Sequence, residues 1–146
     1  MRSIPATLGL CLALCTTAVS SARAAEDKDA IEYRQHVMRS LDAQTAVLGM
    51  ILSGAVPDDN LVNHLETIAL IAQVSLATFD AKVPGGESSP EVWAKWPDFS
   101  ERMKTFATNT AKVAKMAKEQ GKDAIMGELT GALTCKSCHD VYRKKN

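Results

Sequence analysis

The sequence has few cysteines and no excess of charge of either sign. Its 146 residues include four cysteines, 17 basic residues and 17 acidic residues. Because there is no basic excess to neutralise phosphates, we expect no nucleic-acid partner. No strand pattern, internal repeat or low-complexity tract is visible. The N-terminal apolar run, residues 8–19, is shorter than the roughly 20 residues that span a bilayer, so we expect no stable membrane insertion.

The N-terminus has the pattern of a cleaved signal peptide. Arg2 precedes the apolar run, Ala22-Arg23-Ala24 gives the small-x-small cleavage pattern, and the first acidic residue is Glu26. An uncleaved membrane anchor is the alternative. Removal of residues 1–24 leaves one domain, residues 25–146, with 15 basic and 17 acidic side chains. We expect this domain in the bacterial periplasm. Only two cysteines remain in it, which excludes a disulfide-rich scaffold.

The periodicity of apolar residues predicts an all-α fold, an antiparallel four-helix bundle. Helices are expected at about residues 29–53, 59–79, 97–120 and 123–144, each with an apolar stripe at helical spacing. Glycines and prolines make residues 82–90 a crossover loop between the second and third helices. Gly127 and Gly131 are costly inside the fourth helix, so we expect something bulky to pack against them.

One motif carries the chemistry. Cys135 and Cys138 are three residues apart and His139 follows directly, which is the attachment signature of c-type haem. Each thiol adds across one vinyl group, and on a helix these three side chains share one face. The imidazole can then bind the iron as the proximal axial ligand. The motif therefore predicts one covalently attached haem c.

Three other kinds of site use similar residues. A structural zinc site needs four protein ligands, whereas the other histidines, His36 and His64, lie on other helices and off the inner stripes. A thioredoxin-like pair needs a preceding strand. A plain disulfide gives His139 no role. A thiol protein without haem stays open as a third class of function.

With this motif, the helices and the signal peptide, the sequence resembles the cytochrome c′ (class II cytochrome c) family. Residues 135–145 are similar to the family's closing segment. Residues 85–87 and 90–93 are similar to its crossover loop and the following turn, and residues 33–35 match an N-terminal Tyr-Arg-Gln segment. The resemblance covers nearly all of the predicted mature chain.

The resemblance implies further cofactor-binding residues. Arg34 would meet a haem propionate, and Gln35 and Glu87 would lie beside the ring. Arg143, four residues after His139, resembles a proximal arginine. The alternatives are a solvated helix charge for Arg34 and part of a basic C-terminal tail for Arg143.

The residue opposite His139 decides the expected function. In five-coordinate family members an apolar side chain three residues after the Tyr-Arg-Gln segment blocks the iron, and here that position is Met38. A thioether is a soft ligand and His/Met ligation suits an electron carrier. We therefore expect Met38 as distal axial ligand, membership of the low-spin branch and electron transfer with periplasmic redox partner proteins. The alternatives are Met38 as a core filler and a five-coordinate haem that binds nitric oxide or carbon monoxide.

No acid–base or substrate-binding constellation is visible, so an enzyme is not expected. A homodimer through the first two helices is possible, since family members are often dimers. Off the inner stripes, Val47, Ile51, Val62 and Ile71 are the candidate contact residues.

Overall fold

The computed structural model describes the backbone of residues 15–145 and the side chains of residues 26–145. Most of the predicted signal segment lies outside the described residues. In the described part a single antiparallel bridge, Ser88 to Arg143, is the only β pairing. The elements, in chain order, are α1 (Cys15–Leu52), α2 (Leu61–Ser75), a 3₁₀ turn (Leu76–Phe79), α3 (Glu91–Ala94), α4 (Trp96–Gln120), α5 (Lys122–Ile125), α6 (Leu129–Ala132) and α7 (Cys135–Tyr142).

Helix α1 begins at Cys15, well before the predicted start near residue 29. The segment between these points contains several alanines, the best helix formers, and neither proline nor glycine. Nothing in the local sequence therefore stops the helix from extending toward the N-terminus. At the other end Gly54 adopts a φ of +76°, a left-handed conformation that commonly ends a helix.

The core confirms the four-helix bundle. Helix α2 packs against both α1 and α4. The stripes predicted for the second and third helices face inward, and all of their members are buried except Leu76, which is partly buried. The members of these two stripes are Leu61, Leu65, Ile68, Ala72, Leu76 and Phe79, and Phe99, Met103, Phe106, Thr110, Val113 and Ala117.

The fourth arm differs from the prediction. It is three short helices, α5, α6 and α7, rather than one helix over residues 123–144. Gly127 lies between α5 and α6, and a Cβ on Gly127 or Gly131 would meet no atom within 4 Å. Among the described residues no protein atom packs against either glycine, so the expectation of a bulky neighbour stays a prediction. The low helix propensity of Gly127 favours the break between α5 and α6, whereas Gly131 lies inside α6.

One described segment, Leu61–Phe79, has the length and apolar composition to cross a membrane. In the structure Leu61, Leu65 and Ile68 face the bundle core. The segment thus has the character of a core helix.

The exposed apolar residues on α1 and α2 are not those proposed for a dimer. Ile51 is only 2% exposed and belongs to the core, and Val47 and Val62 pack partly against it. The exposed large apolar side chains on these two helices are Tyr33, Met50, Leu70 and Val74, and Ile71, the fourth residue proposed for the dimer, is half-buried. Helical periodicity defined the inner face correctly but underestimated its width.

Candidate haem site

A cavity of about 320 Å³ lies between α1, α4, α7 and the crossover loop. Every residue predicted for the site contributes to its wall. An apolar cluster forms part of this wall and consists of Phe79, Val92, Phe99, Met103 and Tyr142. The predicted residues lining the cavity are Arg34, Gln35, Met38, Glu87, Cys135, Cys138, His139 and Arg143.

Helix α7 presents both cysteines and the histidine to the cavity. Cys135 is exposed, and Cys138 is partly buried against the apolar cluster; both are free thiols. Burial raises the pKa of each thiol. A redox-active pair of the thioredoxin kind depends on a lowered thiol pKa, and the raised pKa values of these thiols do not favour that chemistry.

His139 is available as a ligand near neutral pH. Its pKa is lowered first by burial and then by the positive charge of Arg143. The imidazole therefore stays neutral, the form that binds a metal. Within the described residues no group of three or more metal-binding side chains occurs, which leaves the zinc alternative without a ligand set.

Arg34 is a buried cation, with 3% of its surface exposed. It donates from Nη1 to the carbonyl of Val83 at 3.2 Å and from Nη2 to that of Gly85 at 3.1 Å. Its guanidinium carbon lies 5.1 Å from the ring centre of Phe79 and 5.5 Å from that of Trp93. Burial lowers its pKa. A guanidinium has five N–H donors, so three remain for an acid in the cavity.

The crossover loop packs tightly on α1. Gly85 and Gly86 adopt φ values of +135° and +56°. A Cβ at Gly85 would lie 2.7 Å from Cδ1 of Ile31, and one at Gly86 would lie 2.9 Å from Nε2 of Gln35. Glycine at both positions therefore lets the loop approach closely enough to place Gln35 and Glu87 in the cavity wall.

The loop is also tied to the chain after α7. Arg143 pairs with Glu87 at 2.5 Å between Nη2 and Oε2. The backbone N–H of Lys144 donates to the carbonyl of Glu87 at 2.8 Å, and its Nζ donates to that of Gly86 at 2.8 Å. Arg143 is therefore held at the cavity rim by an acid partner rather than lying in a free basic tail.

Met38 lies on α1, as predicted, and lines the cavity while packing against the cluster that contains Phe79 and Tyr142. Met103, interpreted from the sequence as a packing residue, is buried and lines the same cavity from α4. The cavity thus has two thioethers in its wall, both in apolar surroundings.

Sequence reasoning missed a polar group beside the motif. Tyr142 is buried, and its hydroxyl donates to Oδ2 of Asp98, which also accepts from Nε of Arg102 at 2.8 Å. Arg102 lines the cavity. The signals were present in the sequence: Asp98 and Arg102 are four residues apart on one helix face, and Tyr142 comes three residues after His139.

These residues fit a covalently attached haem. The motif supplies two free thiols and a neutral imidazole on one helix, and the apolar wall suits a macrocycle. A buried guanidinium with donors to spare suits a carboxylate substituent. Fold and site together define a c-type haem protein built on a four-helix bundle.

Comparison with known proteins gives the family. The family model described as cytochrome C′ matches residues 29–143, and the chain belongs to the cytochrome c′ family. The cytochrome c′ of Alcaligenes xylosoxydans xylosoxydans is 29% identical over 126 residues, which cover 83% of this chain and 98% of the relative. Members of this family carry one covalently attached haem c.

Two solved structures show the same fold. Cytochrome c prime from Shewanella frigidimarina has a TM-score of 0.74 and 29% identity, covering 82% of this chain and 97% of that one. A mutant of cytochrome c prime from Alcaligenes xylosoxidans, solved as its nitric oxide complex, has a TM-score of 0.74 and 25% identity, with the same coverage.

These matches correct the expected function. An electron carrier with His139 and Met38 as axial ligands is the wrong interpretation, and the low-spin branch is not supported. The relatives described above are cytochromes c′, and the alternative of a gas-binding haem agrees better with them. The error has a physical origin: helical spacing showed that Met38 faces the cavity, but it carries no information on whether the sulfur reaches iron.

Proposed function

We propose that this chain is an exported cytochrome c′ that binds a small diatomic gas, nitric oxide or carbon monoxide, at its haem. Cys135 and Cys138 would hold the haem covalently and His139 would be its proximal ligand. Arg34, with Gln35 beside it, would hold a propionate, and Glu87 and Arg143 would close the rim. The haem supplies an open coordination position where the gas binds.

The observation that carries this proposal is the composition of the cavity. His139 is the only histidine among the described residues that line the cavity, so the wall offers no second imidazole. Met38 and Leu41 extend the wall from α1, and Phe106 extends it from α4. This apolar part of the wall suits a small uncharged molecule, which needs no hydrogen bond from the protein.

The test is the visible absorption spectrum of the holoprotein, with and without gas. We expect a high-spin, five-coordinate spectrum for the ferrous protein and a clear shift on addition of carbon monoxide or nitric oxide. A low-spin spectrum with a sulfur-to-iron charge-transfer band, unchanged by either gas, would contradict gas binding. The absence of a Soret band, in protein made with a functioning haem-attachment system, would contradict haem binding itself.

Met38 is expected to limit access to the open position. Met38→Ala removes a side chain from the wall, and we expect carbon monoxide to bind about ten times faster, since relief of a steric clash in a packed site is worth about 1–3 kcal/mol. Stopped-flow mixing with carbon monoxide measures this rate.

The matched control for this prediction is Met50→Ala. Met50 lies on the same helix, is 48% exposed and does not line the cavity. Equal rates in the two variants would show that Met38 does not restrict the gas.

We propose that residues 1–24 direct export to the periplasm and that residues 25–146 form the mature protein. Carbon monoxide binds ferrous haem, so redox partner proteins would keep the haem reduced. Nitric oxide depends less strictly on a reduced haem than carbon monoxide does. Met50, Leu70 and Val74 are the exposed apolar residues through which a homodimer would form.

A further inference from the structure

Helix α7 carries the haem motif but packs against the bundle through little buried surface. Of its eight residues only Tyr142 is buried, with 4% of its surface exposed. The side chains of Cys135 and His139 are exposed toward the cavity. The position of His139 therefore depends on a few specific contacts rather than on a broad packed face.

Those contacts come from α4. Asp98 accepts hydrogen bonds from the hydroxyl of Tyr142 and from Nε of Arg102, the latter at 2.8 Å. Arg102 donates from Nη1 to the carbonyl of Ser137 at 3.4 Å, and its guanidinium carbon lies 5.7 Å from the centre of the Tyr142 ring. These three side chains thus join α4 to α7 at two points of α7.

The two points lie on either side of the proximal histidine. Ser137 comes two residues before His139 and Tyr142 three residues after it. The ring of Tyr142 also packs edge-on against Phe99, with centroids 5.1 Å apart. On the loop side, the carbonyl of Tyr142 accepts from the N–H of Ser89 at 2.9 Å. The turn of helix that holds His139 is therefore fixed before and after the imidazole.

The hydrogen bonds persist across the neutral pH range. Burial, followed by the hydrogen bond to Asp98, raises the pKa of Tyr142 to about 12. The hydrogen bond from Tyr142, followed by that from Arg102, lowers the pKa of Asp98. The hydroxyl therefore stays a donor and the carboxylate an acceptor, and a charged acceptor gives the stronger kind of hydrogen bond.

We propose that Asp98, Arg102 and Tyr142 are positioning residues that fix α7 and thereby set the bond between His139 and the haem iron. The proposal rests on the proposed function in one respect: His139 must be the proximal ligand. The three residues do not touch the iron. They act through the backbone of α7. Their removal is therefore expected to make α7 less rigid while the haem stays attached.

The experiment uses the holoprotein and two single variants, Tyr142→Phe and Arg102→Gln. Tyr142→Phe keeps the buried ring and removes only the hydroxyl; Arg102→Gln keeps most of the stem and provides a second route if the first variant folds poorly. Hydrogen–deuterium exchange follows the amides of α7, and resonance Raman spectroscopy of the ferrous protein follows the stretching frequency of the iron–imidazole bond.

We expect about tenfold faster exchange in α7 than in the unmodified protein, which corresponds to the loss of one charge-assisted hydrogen bond, with exchange in α2 unchanged. The iron–imidazole band should shift or broaden in both variants. Arg102→Lys should recover part of the effect, because a lysine can pair with Asp98 but cannot reach Ser137 at the same time.

The control is Lys112→Gln. Lys112 lies further along α4 and pairs with Glu128, just before α6, at 2.8 Å. This substitution should change neither measurement. If Tyr142→Phe and Arg102→Gln lower the melting temperature but leave α7 exchange and the iron–imidazole band as they were, the cluster is only a surface network and the proposal is wrong. Failure of the proposed function would be seen separately, because the absorption spectrum of the unmodified protein would then not change on addition of either gas.

Discussion

Replacing Cys135 and Cys138 together with serine is expected to yield a chain that carries no covalent haem. Serine has nearly the same size, but its hydroxyl does not add across a vinyl group as a thiol does. Both thiols are free and share the face of α7 that lines the cavity, so both attachment points disappear at once. Haem staining after denaturing electrophoresis and the intact mass of the mature protein measure the loss.

Two controls make the result specific. Ser137→Ala lies between the cysteines, on an exposed position of α7, and should keep the full haem mass. Each single cysteine variant should keep one bond and show a changed absorption band. Haem that survives denaturation in the double variant would show that attachment uses another residue.

The motif could be predicted from the sequence because it is local. Residues three and four apart on a helix share a face whatever the rest of the chain does. For the same reason the buried stripe of α4, from Phe99 to Ala117, was predicted correctly. Even Arg34 was placed in the site, although by family resemblance rather than by any rule that would bury a cation.

The features that could not be predicted from the sequence depend on contacts between distant segments. The division of the fourth arm at Gly127 follows from the competition between weak helix propensity and packing, which no window of sequence measures. The link from Asp98 to Tyr142 spans 44 residues. For Met38 the helical spacing predicts the direction of the side chain, whereas the function depends on the distance between its sulfur and the iron.

Arg34→Leu is expected to cause the largest loss of stability among single substitutions of charged residues. Two loop carbonyls, those of Val83 and Gly85, would lose their charged donor, and a hydrogen bond to a charged group contributes about 1.5–3 kcal/mol. Removing a buried cation recovers part of its desolvation cost, which opposes this loss. In the holoprotein the propionate proposed to face Arg34 would also lose its partner.

We therefore expect the holoprotein to lose about 3 kcal/mol of unfolding free energy, and its melting temperature to fall by about 10 °C. Thermal unfolding followed by circular dichroism measures the change. Arg39→Leu is the matched control, because Arg39 lies on the same helix and also lines the cavity but is exposed; it should cost less than about 0.5 kcal/mol. Arg34→Lys should restore the charge but not the fork that reaches two carbonyls, and should lie between the two. A melting temperature that rises in Arg34→Leu would mean that the desolvation cost of the cation exceeds all of its bonds, and that Arg34 is kept for the haem rather than for the loop.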